Sequence, residues 1–285
     1  MPLFLKYLLA LVYRIGYLLH HLFFLKPGKP LSHAQLIVVG SFLAGGAGKT
    51  PFCLWLVRRI PANYKVAVLC HSKAWDEVNL YKIKLCDCAN VRVYATKNRY
   101  KTAHEIDAQF DFVICDDGFE DSRLVGAKVI RLDWSQPPVS LKNLIPLGKY
   151  RSLVQDHEAP ALVAHCYGME QDVSFAIDGI NAEGFSGRSA VVCGLGNPIR
   201  FVEDLKKAGV DVQTVIQRPD HDSKFTVAVI SAMEVADAVW MTEKDVCRLP
   251  AELQRNPKIK AAKQKVFVSP RFVPKVEHLF HLQFI

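Results

Sequence analysis

Apolar residues fall into three stretches along this chain. Residues 3–25, LFLKYLLALVYRIGYLLHHLFFL, are almost continuously apolar. On a helix turning 100° per residue the exceptions Lys6, Tyr7, Tyr13, Arg14, Tyr17, His20 and His21 collect on one arc of about 140°, opposite Leu, Ile and Phe. From residue 36 short β-branched runs alternate with helical stretches: LIVVG (36–40), KVAVLC (65–70), VRVYAT (91–96), FDFVICDD (110–117) and KVIRLD (128–133), with helices over Pro51–Ile60 and Lys101–Phe110. That alternation predicts a parallel sheet covered on both faces. A second series opens near Pro160 with ALVAHC (161–166) and SAVVCGLG (189–196), a helix over Arg200–Ala208, a strand at Val210–Ile216, a helix at Thr226–Ala236 and AVWMT (238–242). Pro137-Pro138 and the stretch from Gly148 to Pro160 are the joints. The expected organisation is an amphipathic helix at 1–30, a sheet domain at 31–155 and a smaller α/β domain at 156–285, without internal repeat or low-complexity segment.

The apolar N-terminus admits several readings. A signal peptide is disfavoured because no small-residue cleavage site follows and Arg14 interrupts the apolar core. A membrane span has the right length, but an arginine in mid-helix costs about 2.5–3.5 kcal/mol on insertion scales. The polar arc suits a helix lying in the membrane interface, with packing on the protein's own core as the alternative. Lys26-Pro27-Gly28-Lys29-Pro30 ends the helix and adds two cations.

Composition sharpens this picture. The chain has 285 residues and is 50% hydrophobic, enough for about two domains with buried sheets, which excludes a disordered chain. Of its 36 basic residues nine lie in residues 1–75, which contain no Asp or Glu, and the remaining 27 face 28 acidic residues. The net charge of +8 therefore resides in the N-terminal quarter and points to an anionic surface or ligand met there, not to a generally basic, nucleic-acid-binding protein. Eight scattered cysteines, with no CxxC and no Cys/His zinc spacing, read as reduced, buried thiols.

Between the first strand and the first helix of the sheet domain stands Gly45-Gly46-Ala47-Gly48-Lys49-Thr50. Glycines let successive backbone N–H groups turn toward phosphate oxygens, Lys49 can reach the β- and γ-phosphates, and the Thr50 hydroxyl can ligate magnesium. Leu43 stands where the usual first glycine of this loop would be, but the strand-turn-helix context is that of a phosphate loop. Asp116-Asp117-Gly118 closes an apolar strand, where carboxylates of this architecture lie beside the loop and can hold magnesium. Together the two signals make nucleotide-dependent phosphoryl transfer or hydrolysis the leading class.

Taken in order, GSFLAGGAGKTP (40–51), Asp76-Glu77, ICDDGFEDSRL (114–124), LIPLGKYRSL (144–153), GLGNPIRFVEDL (194–205), PDH (219–221) and MTEKDVCRL (241–249) resemble the tetraacyldisaccharide 4'-kinase (lipid A 4'-kinase) family over nearly the whole chain. The resemblance implies a P-loop α/β domain joined to a smaller α/β domain with the active site in the cleft. It also implies an N-terminal membrane-associated helix and transfer of the ATP γ-phosphate to the 4'-hydroxyl of a tetraacyldisaccharide 1-phosphate at the cytoplasmic face of the bacterial inner membrane, with no obligate protein partner. It further implies Asp76 as base assisted by His221, Lys49 on the phosphates with Gly45, Gly46, Ala47, Gly48 and Thr50, and Thr50, Glu77, Asp116 and Asp117 around Mg2+.

Departures from the family pattern are specific. The Arg-Gly-Tyr-Gly-Gly stretch usual after the second strand reads His71-Ser72-Lys73-Ala74-Trp75, a shortened loop; the customary Gln-His after Asp-Asp-Gly-Phe is Glu120-Asp121; and the Arg-Glu after the Leu-Pro-x-Gly segment is Arg151-Ser152. Retention of Lys49, Thr50, Asp76, Glu77, Asp116, Asp117 and His221 favours a divergent but active member. Elsewhere, Gly194-x-Gly196 reads as a structural turn, and Thr242-Glu243-Lys244-Asp245 as either a capped helix start or a substrate-facing segment. Two competing classes are a P-loop ATPase or GTPase switch, which would hydrolyse nucleotide without lipid, and a non-catalytic membrane-binding protein with a relic nucleotide fold. No Asn-Lys-x-Asp motif supports GTP.

Overall fold

The structure, a computed structural model, describes residues 2–43, 45–178, 187–194, 198–219 and 222–284. Two compact units emerge: residues 1–174 with 268–285, and residues 175–267. The chain begins with α1 (Leu3–Phe24), then β1 (Gln35–Gly40), α2 (Lys49–Arg59), β2 (Val66–His71), α3 (Trp75–Lys84), β3 (Val91–Thr96), α4 (Arg99–Ile106), β4 (Phe112–Asp116), β5 (Lys128–Asp133) and β6 (Leu162–His165). The six strands form one sheet in the order β3-β2-β4-β1-β5-β6, with every pair parallel. All of β4 and all but the first residue of β1 are buried, as expected for central strands of a parallel sheet covered on both faces. One face of this sheet packs Leu36, Val38, Val113 and Cys115 with Phe110, Ala103 and Ile106.

The second series is β7 (Val173–Asp178), β8 (Ser189–Cys193), α5 (Ile199–Lys207), β9 (Val212–Gln217), α6 (Phe225–Val235), β10 (Ala238–Thr242), α7 (Glu243–Val246), α8 (Ala251–Gln254) and β11 (Ile259–Val268). Its sheet runs β7-β11-β10-β8-β9, with β8, β9, β10 and β11 paired in parallel where they adjoin. After β11 the chain returns to the first unit as α9 (Val273–Phe280), where the Leu279 carbonyl accepts from Gln35 and Lys128.

Two details depart from the sequence reading. ALVAHC pairs with β5 and so extends the first sheet, and the division between units falls at 174/175, beyond the joint read at 155/156. The cysteines are free, but Cys86 is exposed and Cys88 and Cys247 are half-buried, because 86 and 88 lie on the surface turn after α3.

Helix α1 is long and apolar enough to cross a membrane, yet its packing is the reverse of a globular helix. Lys6, Tyr7, Tyr13, Arg14, Tyr17 and His21 turn toward the protein around the buried Ala10, while thirteen large apolar side chains from Leu3 to Phe24 are exposed. Of the polar arc, only His20 points outward. Tyr13 OH donates to the Arg151 carbonyl at 2.8 Å, and the Arg14 guanidinium pairs with Asp156, Nη2 to Oδ1 at 2.6 Å.

Candidate functional site

β1 and β4 are neighbours in register, Val39 opposite Asp116, so their C-terminal ends deliver two loops side by side. Leaving β1, the chain turns through Gly45–Gly48 into α2. Gly46 and Gly48 have φ of +68° and +73°, a left-handed geometry that glycine adopts without strain. The loop is held where Trp134 Nε1 donates to the carbonyl of the buried Ala47 at 2.9 Å. Gly48 is the N-cap of α2, and no side chain among the described residues caps it, so the first-turn amides and the positive end of the helix are available to an anion.

Thr50, in the first turn of α2, donates its hydroxyl proton to Asp116 Oδ2 at 2.7 Å. Tyr81 OH donates to the same oxygen at 2.9 Å, and Arg99 Nη2 to the Asp116 carbonyl at 2.8 Å. Asp116 Oδ1 is buried with no hydrogen-bond partner among the described residues. Burial, then the charge of Glu77, pushes the Asp116 carboxyl up to about 6 against the pull of Thr50 and Lys49. A buried carboxylate oxygen with an open valence beside a threonine hydroxyl is the donor set that a hard divalent cation completes. Among the described residues no three His, Cys, Asp or Glu side chains converge as an all-protein cage. Magnesium does not need one, since it keeps several waters and takes one or two carboxylates together with substrate phosphates.

Asp117 lies apart from that pair. Its φ of 59° is unusual for a residue other than glycine, and such strain is characteristic of functional turns. The turn points the carboxylate at cations: Lys49 Nζ is 3.3 Å from Oδ1, and Arg151 donates to both oxygens, Nη2 to Oδ1 at 2.8 Å and Nη1 to Oδ2 at 3.2 Å. Burial works to raise this carboxyl, but Lys49 and Arg151 outweigh it and hold it well below the ordinary carboxylate range. Arg151 is itself fixed by its backbone N–H to the Phe42 carbonyl at 3.0 Å and by Nη2 to the Ser41 carbonyl at 3.3 Å.

Asp76 and Glu77 begin α3 directly after the short Ser72–Ala74 connection from β2. Asp76 is fully buried and its Oδ1 accepts from the Glu77 N–H at 3.0 Å, a first-turn contact that also suits the helix dipole. Of the remaining candidates, His221 lies outside the described residues, as does Gly196. Gly194 lies close against Arg248, whose Nη1 a Cβ there would meet at 2.4 Å, and its N–H donates to Asp245 Oδ1 at 3.2 Å. Thr242 caps α7, accepting from the Asp245 N–H at 3.1 Å, so the capped helix start is present. Tyr81, Arg99 and Trp134 were not singled out by the sequence, and Arg151 was given no role by it. Tyr81 reaches Asp116 by tertiary packing that no local spacing announces, and Arg151 was visible only as one letter of a matching block.

Most of the chain is similar to known proteins. The model of the family described as tetraacyldisaccharide-1-P 4'-kinase matches residues 3–72 and 71–281. The chain is 28% identical to the tetraacyldisaccharide 4'-kinase of Halorhodospira halophila over 275 residues, covering 82% of this chain and 83% of that protein. It is 29% identical to the tetraacyldisaccharide 4'-kinase of Chlamydia caviae over 269 residues, covering 76% and 72%. Its fold is that of the "apo" form of LpxK from Aquifex aeolicus crystallised in complex with ATP, with a TM-score of 0.65, 20% identity and 97% of both chains covered.

Proposed function

The chain belongs to the tetraacyldisaccharide 4'-kinase family, and from that membership and the site geometry we infer its reaction: the γ-phosphate of ATP passes to the 4'-hydroxyl of a tetraacyldisaccharide 1-phosphate, giving the bis-phosphorylated lipid A precursor. The observation that carries the assignment of roles is the Thr50–Asp116 hydrogen bond at 2.7 Å beneath the glycine loop, with Asp116 Oδ1 open beside it. Backbone amides of Gly45–Gly48 and the start of α2 cradle the phosphates. Lys49 leaves Asp117 for the phosphate oxygens, stabilising charge as it moves onto the leaving group, and Asp117 stays with Arg151. Thr50, Asp116 and Glu77 would hold Mg2+, which when bound neutralises the β- and γ-phosphate oxygens.

Asp76 is the proposed base. It sits after β2 on the same sheet end as the loop, and a carboxylate held there can take the hydroxyl proton as the bond to phosphorus forms. His221 is proposed to assist it. The exposed apolar face of α1, followed by the exposed Lys26 and Lys29, supports seating on an anionic lipid surface, which we assign to the cytoplasmic face of the bacterial inner membrane. The test is to incubate the purified full chain with ATP, magnesium and a tetraacyldisaccharide 1-phosphate and to follow phosphate into the lipid by mass. Phosphate gained by the lipid is expected. ATP turnover that ignores the lipid would instead identify a P-loop ATPase.

A further inference from the structure

Two residues beside Arg151 touch each other. Glu120 stands in the loop after β4, and Ser152 follows Arg151 in the chain. The Ser152 hydroxyl donates to Glu120 Oε1 at 3.1 Å, and Glu120 Oε2 is 3.6 Å from Arg151 Nη1. We infer that Glu120 is the positioning counter-charge of Arg151, held on it by the buried Ser152 hydroxyl.

The charge balance requires such a group. Asp117 is shared by two half-buried cations, Lys49 and Arg151, and one carboxylate does not neutralise both. Glu120 supplies the second. Neighbouring hydrogen bonds agree with an ionised Glu120. Ser152 is fully buried, and its oxygen lies 2.8 Å from His157 Nε2. Burial pushes the His157 imidazole down to about 4, so at neutral pH it is uncharged. With the serine proton donated to Glu120, a neutral His157 protonated on Nε2 completes the chain to Ser152 Oγ, and Arg151 and Ser152 work against the burial that raises the Glu120 carboxyl. Exchanging only one of the two positions breaks the arrangement. Glutamine at 120 beside Ser152 leaves Arg151 with half of its anionic shell, whereas glutamate at 152 beside Glu120 sets two carboxylates within one hydrogen-bond length. Exchanging both keeps one carboxylate per arginine.

The role follows from what Arg151 does. When Lys49 turns to the γ-phosphate, Asp117 must remain behind, and Arg151 is the group that retains it. Glu120 acts through Arg151, so its loss should appear in kcat and leave the KM for ATP nearly unchanged. This inference rests on the phosphate-loop reading given above, so Lys49→Ala is measured alongside.

Glu120→Gln, Ser152→Glu, the double variant and Glu120→Asp are assayed in the full chain, with melting temperatures to confirm folding. Each of the first two single changes should lower kcat about 10-fold or more with KM for ATP within about 3-fold, and the double variant should return to within about 3-fold of the parent. Glu120→Asp should keep most of the activity. A parent-like kcat in Glu120→Gln, or a double variant no faster than the slower single one, overturns the inference. Should Ser152→Glu fail to fold, the Glu120 pair decides, with equal losses in Gln and Asp overturning the proposal. Full activity of Lys49→Ala would remove the phosphate-loop reading, whereas an inactive Lys49→Ala beside a parent-like Glu120→Gln would remove this inference alone.

Discussion

Adjacent aspartates in this chain are held in opposite electrostatic conditions, and their substitution should separate stability from activity. Burial brings Asp116 to about 6 from the ordinary 3.8, so the folded state binds its proton more tightly than the unfolded chain does. Its contribution favours folding below 3.8 and is lost as pH rises through about 6. At pH 7.5 without metal, Asp116→Asn is therefore expected to raise Tm by about 2–4 °C while abolishing phosphoryl transfer. Scanning calorimetry beside the lipid assay checks both, and a lower Tm would show that the ionised carboxylate contributes stability. Asp117 has the reverse sign: held low by Lys49 and Arg151, it contributes stability above 3.8 that is lost as pH falls through its folded value. Asp117→Asn leaves two half-buried cations short of an anion and should lower Tm by about 5 °C. Lys49→Ala should reduce kcat/KM by about 10²-fold or more in a folded protein, measured by single-turnover transfer. Much of this chemistry was legible in the chain, because the glycine loop and Asp116-Asp117 each carry their meaning in adjacent residues. The division of labour between the aspartates was not, since it depends on Arg151, Tyr81 and the left-handed turn at Asp117, which come together only in three dimensions.

Elements that were short, apolar and β-branched could be located closely from the sequence: β3, β5 and β10 begin and end where their runs do. Others escaped for physical reasons. β11 is a ten-residue strand whose alternating lysines (KAAKQK) mask an apolar run, and α3 offers neither a capping side chain nor a clear apolar stripe. The β5–β6 pairing was invisible because the assignment of a strand to a sheet is a long-range matter that no local pattern encodes. Helix α1 was found, but which way it faces was not, since the same polar arc serves a helix turned toward water or toward its own protein. The observed orientation makes a distinctive prediction. Glutamates at Leu11 and Leu18, on the outward side, should release the chain from vesicles in a flotation assay with Tm unchanged. Arg14→Ala, on the inward side, strips Asp156 of its guanidinium partner and should cost about 1–3 kcal/mol of stability by denaturant titration.

Charge at the level of the whole molecule is less simple than a net +8 confined to one end. Arg14 is consumed by Asp156 and Lys49 by Asp117, so neither advertises its charge outward. Lys26 and Lys29, directly after the apolar helix, are left facing solvent. Replacing both by glutamate should weaken association with anionic vesicles by about 1 kcal/mol per lysine or more and flatten its salt dependence, as sedimentation at two ionic strengths would reveal. The outward-facing apolar helix also has a consequence for how an acceptor carrying four acyl chains is met. At roughly 0.8 kcal/mol per methylene, drawing one myristoyl-length chain into water costs about 10 kcal/mol, and four would exceed the ~20 kcal/mol at which non-covalent association saturates. Through Tyr13, this helix is hydrogen-bonded to the residue that grips Asp117. On the proposed membrane seating of α1, the phosphate site is moored at the lipid boundary, and the search for substrate becomes lateral diffusion in two dimensions, with the hydroxyl brought to the nucleotide while the hydrocarbon stays dissolved in the leaflet.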